Sequence, residues 1–174
     1  MAVFKNRAAA LVLCVLCVLV SSVWNVNRSL EKEAEKAEEL FEAHNGIEDQ
    51  IESRIGYCSQ LWSVAGDFPA AAAFRDAYNA LYEAEEHGSA GDMARANAAL
   101  TDAAEELHTQ ILASSRVTED AKYYYDLQQN AARVMENAAE EYNASAAAYR
   151  RLTESFPLTL LRPLIFVEAP VPFE

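Results

Sequence analysis

The sequence predicts an all-α fold: an antiparallel up-and-down four-helix bundle, preceded by one transmembrane helix and followed by an extended tail containing proline. Three observations predict it. Gly and Pro number only five each among 174 residues, too few to separate a set of strands. Apolar side chains recur at intervals of three and four rather than two. Alanine runs at Ala70–Ala73 and Ala146–Ala148 favour helix, because alanine loses no side-chain entropy there.

The first element is an anchor. Residues 8–24 read AAALVLCVLCVLVSSVW, uncharged throughout, with Lys5 and Arg7 in the short basic stretch 1–7. At about 1.5 Å per residue this run nearly crosses the roughly 30 Å hydrocarbon layer, and Trp24 suits the interface. The rival is a cleaved signal peptide, whose apolar region is shorter and ends in small residues of Ala-x-Ala type; Val20-Ser21-Ser22 matches that poorly. A lipoprotein needs a small residue before its cysteine, and Leu13 and Leu16 stand before Cys14 and Cys17. The lipid bilayer is thus the expected contact of a single-pass protein of the cell membrane. Lys5 and Arg7 on one side face Arg28, Lys32 and Lys36 on the other, so the positive-inside tally is close to even. The reading leans to an extracytoplasmic domain.

Residues 25–156 form the expected bundle domain. Leu30, Ala34, Ala37, Phe41, His44, Ile47, Ile51, Ile55, Cys58, Trp62 and Ala65 draw one stripe along a first helix that bends at Asn45-Gly46. A break at Gly66-Asp67-Phe68-Pro69 leads to a second helix, from about Pro69 to Glu86, facing inward with Phe74, Tyr78, Leu81 and Tyr82. The stretch His87–Gly91 ends it, and Asp92 is the expected cap of a third helix carrying Met93, Asn97, Leu100, Ala104, Leu107 and Ile111. After a turn over Ser114–Thr118, a fourth helix starts near Thr118-Glu119-Asp120. Its inward positions are Ala121, Tyr124, Leu127, Ala131, Val134, Ala138, Tyr142, Tyr149 and Leu152, and it stops at Phe156-Pro157. Short loops between the helices favour antiparallel neighbours. The tail, 157–174, has four prolines and too many apolar residues for a solvated end, so it is expected to lie against the bundle or a partner.

Charge and cysteine usage narrow the function classes. The net charge is −13, and every Asp and Glu lies after position 30. A domain so acidic repels phosphate backbones, so no nucleic-acid partner is expected. Cys58 is alone outside the apolar segment, which makes an intradomain disulfide impossible and a small core residue the simplest role. No HExxH, phosphate-binding glycine loop or Gly-x-Ser-x-Gly elbow is present, and no catalytic or cofactor site is expected. The best metal candidates are Glu105 and His108, spaced as in one helix of a di-iron bundle, but the second such motif is missing. The tyrosines, including the Tyr123–Tyr125 run, are read as helix-interface residues with hydroxyl partners. Asn27-Arg28-Ser29 and Asn143-Ala144-Ser145 match glycosylation sequons by accident of composition.

Tyr142-Asn143, then Tyr149, then Ser155-Phe156-Pro157, then the closing Ala169-Pro170-Val171-Pro172-Phe173-Glu174 form a spaced series. In these residues the chain resembles the bacterial LemA family over almost its whole length, as a divergent member. Arg54, Ile55 and Leu61 resemble a second family region more loosely. Arg150 stands where the family has Asn, Cys58-Ser59-Gln60 stands near its Pro-Asn, and Ser115–Lys122 matches its Tyr-Pro stretch poorly. The resemblance implies an N-terminal membrane helix and an up-and-down bundle, and supplies no enzymatic activity. The functional expectation is therefore a non-enzymatic membrane-anchored interaction module or scaffold in the cell envelope, with a protein partner. A ligand- or metal-binding bundle is the alternative.

Overall fold

The computed structural model describes residues 7–65, 67–114, 119–155, 159 and 162–174. Its described residues form five α-helices and one 3-10 turn, with no strand among them. They are α1 (Arg7–Glu42), α2 (Ile47–Ala65), α3 (Ala71–His87), α4 (Ala90–Ala113) and α5 (Glu119–Glu154), then the 3-10 turn Arg162–Leu164.

Helix α1 runs without interruption from the apolar segment into the domain. One helix near the N-terminus is long and apolar enough to cross a membrane, and its apolar window is wholly unburied. The expected long helix with a bend is instead two helices. Asn45 takes a left-handed φ of 65°, which a right-handed helix cannot continue. Gly46 closes the turn by donating to the Ala43 carbonyl, and a Cβ there would meet backbone oxygens at 2.6 and 2.7 Å. Asp49 accepts from the Asn45 N–H at 2.8 Å, and Glu48 and Asp49 suit the positive end of α2. His44, expected on the apolar stripe, is an exposed loop residue 3.6 Å from Asp49.

Helices α1 and α2 together pair antiparallel with α5. Ser145 donates to the Glu33 carbonyl, Phe41 packs on Tyr142 at 5.6 Å, and Arg54 reaches Gln128, so residue numbers rise on one side as they fall on the other. The α3–α4 hairpin packs on α2, and its turn at Gly88–Ala90 shares a cleft with Ala37 and Phe41 of α1. Ser89 caps α4 in a reciprocal capping box, with Asp92 as the third helical residue rather than the cap. At the other end Gln110 of α4 accepts from the Ala70 N–H and supplies the cap that α3 lacks locally. Helix α3 begins at Ala71, and Pro69 lies in the turn before it.

The core is built from Ile47, Ile51, Phe74, Leu81, Leu100, Leu107, Ile111 and Met135, each fully buried. Burial of each such side chain contributes roughly 1.5–3 kcal/mol. On two helices the expected inward positions are only partly the buried ones; Ala131 of α5 is buried as expected. On α2 the buried face is Ile47, Ile51, Arg54, Cys58, Leu61 and Ala65, while Ile55 is half-buried and Trp62 exposed. On α5 it is Ala121, Tyr125, Gln128, Ala132, Met135, Ala139, Tyr142, Ala146 and Tyr149; Tyr124, Leu127, Val134 and Ala138 flank it. Tyr82, expected inside, is exposed and donates to Glu86.

Candidate functional site

Two polar constructions stand out inside this apolar frame. The first is a groove between α1 and the C-terminal half of α5, filled by the tail. The start of α4 reaches this seam at Gly91, beside Val171 and Pro172, and the tail lies along it. It runs antiparallel to α5, held by its backbone: the Tyr149 hydroxyl donates to the Val167 carbonyl at 2.6 Å, and the Tyr142 hydroxyl to the Val171 carbonyl at 2.7 Å. Asn143 closes the far end with two bonds, its amide donating to the Phe173 carbonyl at 3.0 Å and its oxygen accepting from the Phe173 N–H at 2.8 Å. Asn27 of α1 repeats the device at the near end, donating to Leu164 and accepting from Phe166.

This arrangement answers the backbone requirement of a proline-containing segment. Proline at 163, 170 and 172 prevents a continuous helix or ladder, so the remaining N–H and C=O groups need side-chain partners. Tyrosine suits the task because its long ring crosses the apolar seam and its hydroxyl reaches the tail. Burial raises the pKa of both Tyr142 and Tyr149, keeping them hydrogen-bond donors. Phe173 then enters the core cluster, while Glu174 stays exposed. Of the series singled out in the sequence, Tyr142, Asn143, Tyr149 and Phe173 meet in one groove; Phe156 and Pro157 lie outside the described residues. Asn27 stands out in the sequence only as part of a sequon, and its role has no local signal, because its partners are 137 and 139 residues away. Replacing Tyr149 with Phe is expected to cost about 1 kcal/mol, the net contribution of one hydrogen bond, measured by urea denaturation.

The second construction is a buried polar cluster on Arg54, which is 0% exposed. Its Nε and Nη2 both donate to Gln128 Oε1 at 3.2 and 3.1 Å, Nη2 also to Thr101 at 2.9 Å, and Nη1 to the carbonyl and side-chain oxygen of Asn97. Every hydrogen-bond acceptor of this cation is neutral. Burial accordingly lowers the Arg54 pKa. Gln128 Nε2 is buried without a partner among the described residues. Cys58 lies one turn on, and burial pushes its thiol up to about 12, opposed by the Arg54 charge.

A thiol held neutral and enclosed is unreactive. In a chain with Cys14 and Cys17 replaced by Ser, Cys58 is expected to resist an alkylating reagent until denaturant unfolds the bundle. Mass spectrometry of labelled samples checks this; rapid labelling of the native protein would contradict it. The folded value lies above the unfolded value of 9.0, so the stability gained from the neutral thiol is complete below pH 9 and is lost as pH rises toward 12.

The metal candidates are not assembled into a site. Glu105 is exposed, and His108 lies flat on the Tyr125 ring with centroids 3.6 Å apart. Burial lowers the His108 pKa. Among the described residues no group of three His, Cys, Asp or Glu could hold a metal ion. No family model, curated protein or solved structure matches this chain.

Proposed function

We propose that this chain is a single-pass membrane protein of LemA kind, whose up-and-down helical bundle serves as a non-enzymatic interaction module or scaffold at the membrane surface. The observation that carries the reading is the tail groove. Of the residues behind the LemA resemblance, Tyr142, Asn143 and Tyr149 hold the tail, and Phe173 is the tail residue that enters the core. A motif spent on tying down the chain's own end builds a platform rather than a reaction centre. The continuous α1 supports a domain standing directly on the bilayer.

The test is native mass spectrometry of the full-length protein, extracted in mild detergent from its own membranes. A stoichiometric excess mass matching a second polypeptide is the expected result. A small bound molecule or metal in place of a polypeptide would overturn the scaffold reading and direct attention to the bundle core.

A further inference from the structure

The tail meets α1 where the helix changes from apolar to polar, and it brings uncovered apolar side chains to that level. Phe166 is 84% exposed, Trp24 73% and Leu164 46%. With Leu19 and Val23 of α1 they line a cleft of about 700 Å³, whose polar lining is Asn27, Arg28 and Glu31. The register fixes its height. Ser145 bonds to the Glu33 carbonyl; Glu154, the end of α5, lies nine residues after Ser145, and Trp24 lies nine before Glu33. Helix α5 therefore stops level with the last residue of the apolar run, and the cleft straddles that boundary.

We propose that the tail at Leu164 and Phe166 is a second membrane contact. Leu164 and Phe166 lie with Trp24 in the boundary between headgroups and acyl chains of the bilayer that α1 crosses. The cleft takes an acyl chain of a bilayer phospholipid, whose phosphate faces Arg28. This rests on α1 spanning the membrane. Continuity decides the occupant: Leu19, Val20, Val23 and Trp24 of the lining belong to the apolar run itself, so a soluble partner would have to enter hydrocarbon to reach them, whereas an acyl chain is already there. The Arg28 stem can lie along the apolar wall while its guanidinium remains at the phosphate level. The asparagine clamp at Asn27 then holds the tail at the water boundary, and the tail links the bilayer surface to the core at Phe173.

The experiment uses the full chain in vesicles of phosphatidylcholine and phosphatidylglycerol, with either ordinary or brominated acyl chains, which quench tryptophan on contact. Three variants share Trp24→Phe. The first keeps Trp62 as the only tryptophan; the others carry Trp62→Phe with either Phe166→Trp or Leu16→Trp. Far-UV circular dichroism checks that each is folded. Expected are blue-shifted emission and strong loss of fluorescence for Phe166→Trp, approaching that of Leu16→Trp, with Trp62 unquenched. A water-like, unquenched Phe166→Trp beside a quenched Leu16→Trp overturns the tail contact and leaves the anchor standing. Blue-shifted but unquenched Phe166→Trp places a second protein chain in the cleft and also overturns the proposal. Loss of quenching at both positions overturns the anchor itself.

Discussion

Replacing Arg54 with Ala is expected to destabilise the bundle by about 3–5 kcal/mol, the cost of truncating a large buried side chain and leaving its buried polar partners unsatisfied. Two effects add. A fully buried side chain of this size leaves a cavity among Gln128, Asn97 and Thr101. The Gln128 amide, already lacking a partner for Nε2, also loses its acceptor bonds. Lysine should not rescue the loss, because a single ammonium cannot fan out to three side chains as a guanidinium does. The informative comparison is the double variant Arg54→Met, Gln128→Leu. Thr101 keeps a bond to the Asn97 carbonyl, and Asn97 is only half-buried, so little remains unsatisfied. Its stability is expected to return to within about 1 kcal/mol of the parent, or to exceed it. Urea denaturation followed by circular dichroism decides. A double variant as unstable as Arg54→Ala would mean that the polar cluster contributes something that packing cannot replace.

The second large effect is expected from the tail. Phe173→Ala should cost roughly 3–5 kcal/mol as a buried aromatic truncation, and in a domain of this size that lowers Tm by roughly 10 °C or more. Deleting Leu158–Glu174 should do more. It removes the Phe173 contact together with the bonds to Tyr142, Asn143, Tyr149 and Asn27, and opens the apolar seam between α1 and α5 to water. Differential scanning calorimetry of the full-length and truncated chains in the same detergent makes the comparison. An unchanged Tm for the truncated chain would show that the groove is not held by its own tail, and would shift the tail to a partner.

How much of this was legible in the sequence can be argued from the same residues. On α2 and α5 most buried positions follow spacings of four and three: Ile47, Ile51, Arg54, Cys58, Leu61, Ala65 on one, Ala121, Tyr125, Gln128, Ala132, Met135, Ala139 on the other, with Gln50 and Ala131 buried beside them. Reading for apolar character stepped over Arg54 and Gln128 and took Ile55, Trp62, Leu127 and Val134 instead, a shift of one residue or about 100° around the helix. Holding to the heptad spacing would have put both polar residues on inner faces. It would not have shown that they meet each other, since they are 74 residues apart.

The sequence by itself determined the helical class, the apolar first segment, the places where most helices stop, and the tail's need for a surface. These follow from local facts: backbone punctuation by Gly and Pro, caps, and the count of apolar residues in a window. Only the tertiary structure decided that the bend expected at Asn45-Gly46 is a full break, that Arg54 is buried on neutral hydrogen-bond acceptors, and that Asn27 and Asn143 grip the two ends of the tail. A side chain's partner depends on which elements come side by side and in what register. That is set by the packing of the whole core, and no window of the sequence contains it.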